Sequence, residues 1–139
     1  MRVVFGTDEA TAVTDAVLAS LRRRGHDVES VADGEDWVAV GRAVGEAVAA
    51  GRAQMGVVCC WSGTGVAMAA NKVPGVRAAL CPDAATAAGA RRWNDANVLA
   101  IGLRLTSTTV ADELLDAFLA AGPDPSERST IARLEEPAE

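Results

Sequence analysis

Between Val57 and Leu80 the chain reads VVCCWSGTGVAMAANKVPGVRAAL, and the punctuation of that stretch leaves few folds open. Val57 to Cys60 is a short continuous apolar run, the mark of a strand buried on both faces. Ser62-Gly63-Thr64-Gly65 is a turn of small residues. Val66 to Ala70 is an apolar helical piece that Asn71, Pro74 and Gly75 stop, and Val76 to Cys81 reads as the next buried strand. A strand that ends in a glycine loop and turns into a helix aims backbone N–H groups at one point. The positive end of the helix dipole lies behind them, so that point attracts an anion. Cys60 stands on the lip of the loop. A helix start stabilises a neighbouring thiolate, which makes Cys60 a candidate proton acceptor. The plainer role for a lone cysteine is an apolar filler at a strand end.

The rest of the chain repeats the same alternation. Arg2 to Gly6 is a first strand; Asp8 or Thr11 caps a helix running to about Arg24 with Val13, Val17, Leu18 and Leu21 on one stripe. His26 to Val31 alternates apolar and polar, as a strand at a sheet edge does. Asp36 to Ala50 carries Val40, Val44 and Val48 at helical spacing. Asp83 caps a helix from Ala84 to Trp93, Asn97 to Gly102 is a fifth strand, and Ser107 or Thr108 caps a helix through Ala120. Ser126 to Leu134 is a further short helix, and residues 135–139 are expected to fray. Strands alternating with helices across short loops predict an α/β protein, a three-layer α/β/α sandwich on a Rossmann-like five-stranded parallel sheet. Residues 1–122 form the single α/β domain and 123–139 a helical extension and tail. Ligands of such sheets sit beyond the carboxyl ends of the strands, where strand order reverses. That rule gathers Thr7-Asp8 and the Cys60 to Gly65 loop on one rim.

Charge narrows the partners. A net charge of −6 argues against nucleic acid or an anionic membrane. An anionic small substrate then needs a local group of arginines, since Lys72 is the one lysine among 13 cationic residues. Cys59 and Cys60 are adjacent on a strand, so they point to opposite faces and cannot grip one metal; with a single histidine in the chain no metal site is expected. An odd number of cysteines fits a reducing compartment, and a chain that opens directly on a strand, without a signal-peptide pattern, points to a cytoplasmic location.

Cys60-Trp61-Ser62-Gly63-Thr64-Gly65, followed by Ala69-Ala70-Asn71-Lys72-Val73-Pro74-Gly75-Val76-Arg77-Ala78, resembles the ribose-5-phosphate isomerase B and galactose-6-phosphate isomerase family, and Asn94-Asp95-Ala96-Asn97-Val98-Leu99 resembles its second signature. The likeness runs from Met1 to about Phe118. It implies a homodimer or dimer of dimers, with the active site between two subunits and no metal or cofactor. The implied reaction interconverts an aldose and a ketose phosphate of the ribose 5-phosphate type through a cis-enediolate. By resemblance, Cys60 is the base that moves a proton between C1 and C2, and Ser62 assists ring opening or oxygen protonation. Gly63, Thr64 and Gly65 form the anion-binding loop, Asp8 and Asp36 line the site, and Arg104 reaches phosphate. Three positions depart from the family pattern. Glu9 stands where the family has a histidine after the first Asp, and Trp93 where it has a histidine before Asn94 that serves in opening the furanose ring. Arg128 and Arg133 are five residues apart, where the family's arginine pair is one helical turn apart.

Each of these residues also has a plainer role. Asp8, Asp36 and Ser62 suit helix caps, Trp61 and Trp93 suit packing or the wall of a sugar pocket, and Arg104, Arg128 and Arg133 suit solvated surface. His26 reads as a surface residue. The reading that follows is an isomerase with shifted substrate preference; the alternative is a non-catalytic sugar-phosphate binding or regulatory protein. A redox pair made of Cys59 and Cys60 is disfavoured, because adjacent cysteines form a strained bridge.

Overall fold

The computed structural model describes residues 1–137. Strands β1 (Arg2–Thr7), β2 (Asp27–Ser30), β3 (Met55–Cys60), β4 (Ala78–Leu80) and β5 (Val98–Gly102) alternate with helices α1 (Ala12–Arg23), α2 (Trp37–Ala49), α3 (Thr64–Asn71), α4 (Ala84–Asn94) and α5 (Thr108–Ala120). A 3-10 turn (Pro125–Glu127) leads into α6 (Arg128–Leu134). All five strands are parallel, in the order β2-β1-β3-β5-β4. The alternating strand is indeed an edge. Strand β4 is shorter than its apolar run: Val76 and Arg77 are outside it, and Arg77 bonds instead to the Asn97 side chain, its N–H to Oδ1 at 2.7 Å.

Period-two alternation divides the strand side chains between two cores. Val3, Phe5, Val57, Cys59, Leu99 and Ile101 pack against α1, α4 and α5, with Phe118 and Leu114 fully buried among them. Val4, Val58, Cys60, Val98 and Ala100 face α2 and α3. The adjacent cysteines therefore sit on opposite faces of the sheet, and both are free.

The caps decide several open choices. Thr11 caps α1, its hydroxyl accepting from the Val13 and Thr14 amides at 3.2 and 3.3 Å, which leaves Asp8 unengaged as a cap. Asp36 caps α2 through Ala39 N–H at 2.9 Å, and Asp83 and Ser107 cap α4 and α5. The N-cap of α3 is Gly63, in the left-handed region at φ 78°, so Ser62 is not its cap. The C-terminal segment is tied down at two points. Asp124 N–H donates to the Arg92 carbonyl at 2.8 Å, and Glu135, at the start of the tail expected to fray, takes the Arg77 guanidinium at 2.7 Å. Ala138 and Glu139 lie outside the described residues. Among the described residues no helix is long and apolar enough to cross a membrane.

Helix α2 rests on α3 through Gly41. A methyl carbon added there would stand 2.6 Å from Ala69 Cβ and 2.7 Å from the Val66 carbonyl oxygen. A backbone oxygen cannot swing away as a side-chain tip can, so α2 would have to lift. Gly41→Ala is expected to cost about 1–3 kcal/mol, as overpacking does. Urea denaturation measures it; an unchanged midpoint would show that the two helices are not in close contact.

Candidate active site

Strand order reverses between β1 and β3, and the residues that leave the carboxyl ends of those two strands surround one cleft. Its volume is about 370 Å³, and it is lined by Asp8, Trp37, Cys60, Trp61, Ser62, Thr64, Gly65 and Met68. Asp8 follows β1, Cys60 ends β3, and the loop from Trp61 leads into α3. Trp37 opens α2 directly after its cap Asp36, and Met68 projects from α3. Trp37, Trp61 and Met68 are all exposed to solvent, so the cleft has apolar walls around a polar floor.

Cys60 is 5% exposed, enclosed on its core side by Val58 and Val66 but open to the cleft. The Gly63 amide donates to its Sγ at 3.2 Å. That contact fixes the direction in which the sulfur faces the loop. Gly63 can do this because its left-handed turn brings the chain back over Cys60. No side chain fits there, since a Cβ would lie 2.5 Å from Leu80 and 2.8 Å from the Gly102 amide. The next amides, of Thr64 and Gly65, open α3 and have no partner inside the helix. The Ser62 and Thr64 hydroxyls are 2.7 Å apart and share a hydrogen bond. Gly65 is where the Trp37 ring comes down: an added Cβ would meet that ring at 2.8 Å.

The remaining thiols differ from Cys60. Cys59 is fully buried on the opposite face, and burial pushes its thiol far above the ordinary range, with the neighbouring Cys60 and Asp8 charges adding to the effect. Burial pushes Cys81 up to about 11, helped by the charge of Asp83. Among the described residues no group of three or more His, Cys, Asp or Glu is placed to hold a metal ion.

Of the residues marked in the sequence, the fold gathers Asp8, Cys60, Ser62, Thr64 and Gly65 in the cleft, with Gly63 holding the sulfur from behind. Asp36 is a helix cap at its border. Glu9 lies exposed in the turn after β1, its backbone held by Thr7 Oγ1, which donates to the Glu9 carbonyl at 2.7 Å. Arg104 lines a neighbouring cleft of about 360 Å³ that shares Trp61 and Ser62, and its amide donates to the Trp61 carbonyl at 2.8 Å. Trp93, Asn94, Arg128 and Arg133 are elsewhere. Trp93 and Asn94 end α4, which runs antiparallel to the strands and so finishes near the amino end of β5, the far side of the sheet from Cys60. Asn94 borders a groove with Arg77, Leu134 and Glu135, while Arg128 borders a small hollow beside Asp95 and Pro123.

A family model described as Ribose/Galactose Isomerase matches residues 3–135. The chain belongs to the ribose/galactose isomerase family. Ribose-5-phosphate isomerase B of Escherichia coli is 33% identical over 125 residues, covering 86% of this chain and 84% of that protein. Galactose-6-phosphate isomerase subunit LacB of Clostridium acetobutylicum is 42% identical over 89 residues, 64% of this chain and 51% of that protein, so the match spans about half its length. The solved structure of ribose-5-phosphate isomerase B from Clostridium thermocellum superposes with a TM-score of 0.92 at 30% identity, covering 97% of this chain and 95% of that one. This family member is thus an α/β protein that shares its fold with a solved ribose-5-phosphate isomerase B over 97% of the chain.

Trp37 and Met68 are the cleft residues the sequence did not reveal, and Trp37 is the more telling of the two. A tryptophan following a helix cap carries no motif, and the signal that places it, the absence of a Cβ at Gly65 beneath its ring, lies 28 positions further on. The second signature is also informative in the fold. Asp95 accepts from both Arg77, at 3.3 Å, and Arg91, at 3.1 Å, and Asn97 accepts from the Arg77 amide and donates to the Gly75 carbonyl at 3.0 Å. Those two residues fasten the entrances of β4 and β5 together, while Asn94 beside them stays exposed.

The contrast among the thiols is directly measurable. Iodoacetamide should modify Cys60 in the folded protein many times faster than Cys59 or Cys81, as read by peptide mass mapping against time. Equal labelling of Cys81 would contradict the cleft geometry.

Proposed function

We propose that the protein is an aldose–ketose isomerase acting on a sugar phosphate by Cys60-mediated proton transfer through a cis-enediolate. What carries the proposal is the Gly63 amide on the Cys60 sulfur, 3.2 Å away, at the mouth of a cleft that also holds Asp8, Ser62 and Thr64. In the open-chain aldose the Cys60 thiolate takes the proton from C2, and the C2–H electrons become the C1–C2 double bond as the C1 carbonyl oxygen gains charge. The amides of Thr64 and Gly65 face that oxygen; one such donor typically contributes about 2.7–4 kcal/mol to the transition state. The thiol then returns a proton to C1, while the O2 hydroxyl proton passes to O1 by way of the Ser62 hydroxyl or the Asp8 carboxylate. The result is the ketose.

The phosphate end calls for a second copy of the chain. The cleft lining includes an acid and no arginine, and Trp93 and Asn94 lie at the other end of the sheet from Cys60. Two copies whose β4 edges meet their partners' clefts bring these residues together. In that homodimer, or dimer of dimers, Arg104, Arg128 and Arg133 are the candidates for phosphate, since a guanidinium fork pairs with two of its oxygens. Three free thiols suit a reducing cytoplasm.

Pentose and hexose phosphates incubated in heavy water with the protein should lose their C2–H signal by NMR. Cys60→Ala should slow that exchange by about 10²–10⁴-fold, the usual contribution of a positioned base. A non-catalytic binding protein would instead show thermal stabilisation by sugar phosphates without exchange, and exchange that survives in Cys60→Ala would remove the thiol from the mechanism.

A further inference from the structure

We infer that Thr64 is a catalytic residue of this site: its hydroxyl and that of Ser62 form one relay that carries the enediolate proton from O2 to O1. The inference rests on the isomerase function proposed above and assigns its oxygen-to-oxygen step, for which Ser62 and Asp8 are both at hand. Moving a proton between C1 and C2 is half of the reaction. The hydroxyl proton of O2 must also reach O1, or the enediolate only returns to the aldose. Of the side chains lining the cleft, Cys60, Asp8, Ser62 and Thr64 can carry a proton, whereas Trp37, Trp61 and Met68 serve as walls. Cys60 is occupied with the carbon-bound proton. Asp8 would bring a second negative charge to an intermediate that is already an anion, which like-charge repulsion opposes. The two hydroxyls add no charge.

The hydroxyls are built as a pair. Ser62 and Thr64 flank Gly63, and its left-handed turn at φ 78° sets their side chains within one hydrogen bond, 2.7 Å from oxygen to oxygen. Ser and Thr hydroxyls near a helix start ordinarily bond to local backbone. These do not: among the described residues each has the other as its hydrogen-bond partner, and α3 is capped by Gly63 with no side-chain bond. Both residues are exposed and line the cleft. Their spacing matches the intermediate. The two oxygens of a cis-enediolate lie on adjacent carbons, about 2.7–2.8 Å apart, which is the separation of an O–H···O hydrogen bond. The pair of hydroxyls and the pair of oxygens therefore close one ring of hydrogen bonds.

Thr64 stands at the O1 end, because one of the two amides that hold O1 in the proposed mechanism is its own. In the forward direction Ser62 donates to Thr64, and the Thr64 O–H points to O1. The O2–H bond breaks as Ser62 Oγ gains that proton, the Ser62 proton passes to Thr64 Oγ1, and the Thr64 proton forms the O1–H bond. Both hydroxyls are restored, and the negative charge has moved from O1 to O2. Its electrons form the C2 carbonyl as the electrons of the C1–C2 double bond take the proton from the Cys60 thiol at C1. The hydrogen bond between the hydroxyls now runs from Thr64 to Ser62, which is the setting for the reverse reaction. Either hydroxyl of the pair can be the donor, so one relay serves both directions of a reversible isomerisation.

A relay of this kind separates two rates that a structural role would move together. In heavy water, deuterium entering C2 of the recovered aldose phosphate reports abstraction and return by Cys60, whereas ketose formation reports completion of the relay. Thr64→Val removes the hydroxyl and keeps the branched shape and the backbone amide. Its ketose formation should fall about 10²-fold, the low end of what a positioned acid or base contributes, while KM and C2 exchange change little. Thr64→Ser, which keeps the hydroxyl, should restore ketose formation. Ser62→Ala should raise the ratio of exchange to ketose formation as Thr64→Val does, and the double variant no further than either alone, because each change breaks the same relay. Thermal melting checks that the variants fold, and Thr64→Ala repeats the test with a smaller side chain. An unchanged ratio on loss of the Thr64 hydroxyl, whether the two rates hold or fall together, overturns the relay and leaves the isomerase in place. Wild-type protein that gives neither exchange nor ketose with pentose and hexose phosphates overturns the isomerase function and this inference with it.

Discussion

The turn at Gly63 is the constraint on which the site depends. A left-handed residue between β3 and α3 does three things at once. It directs its own amide at the Cys60 sulfur, it starts α3 with Thr64 and Gly65 at the cleft, and it lets the loop lie against the backbone of Ile101 and Gly102. A residue with a Cβ at that position meets Leu80 and the β5 backbone at once. The pairing of Leu103 and Arg104 amides with the Cys60 and Trp61 carbonyls, at 2.9 and 2.8 Å, clamps the loop from the other side. Sulfur, amides and helix dipole are therefore held by backbone, the least adjustable part of the molecule. A site built this way is organised before substrate arrives, which is the condition for amides to stabilise charge without reorganising.

Much of this was legible in the sequence because it is written in local rules. Alternation of strand and helix, the stop signals after Ala70 and Ala49, and the caps at Asp36 and Asp83 each concern residues a few positions apart, whereas the choices between Asp8 and Thr11 and between Ser107 and Thr108 needed the structure. The opposed faces of Cys59 and Cys60 follow from strand geometry alone. What escaped depends on neighbours far apart in sequence. Trp37 enters the cleft because Gly65 leaves room for its ring, and α2 reaches α3 because Gly41 leaves room for a carbonyl. Strand β4 starts late, at Ala78, because Arg77 is drawn into bonds with Asp95, Asn97 and Glu135. The family signatures named Ser62 and Asp8 for the site without separating that role from capping. The structure removes the capping role from both, since Gly63 and Thr11 are the caps.

The fold also divides labour between two ends of one sheet. The carboxyl ends of β1 and β3 carry the thiol, the acid and the amides; the amino ends of β4 and β5 carry Asn94 and the arginine-bearing C-terminal helix. The amino-end group is fastened by ion pairs that are largely sheltered from water. Arg91 is 8% and Arg77 17% exposed, and both hold Asp95, whose backbone is left-handed at φ 48°. Such shelter makes these pairs matter more for geometry than for net stability, since desolvating charges offsets much of their attraction. The fastening keeps an exposed Asn94 at a fixed place on the outer edge.

The central claim is that the loop after β3 holds the charged oxygen of an enediolate beside the Cys60 sulfur. A crystal structure with a hydroxamate sugar phosphate, whose planar O–N–C–O group imitates the enediolate, tests it most directly. The account predicts the anionic oxygen within about 3 Å of the Thr64 and Gly65 amides, with the Cys60 Sγ over the adjacent atom. A hydroxamate that binds away from these amides, or turns its reacting atoms away from Cys60, would contradict it.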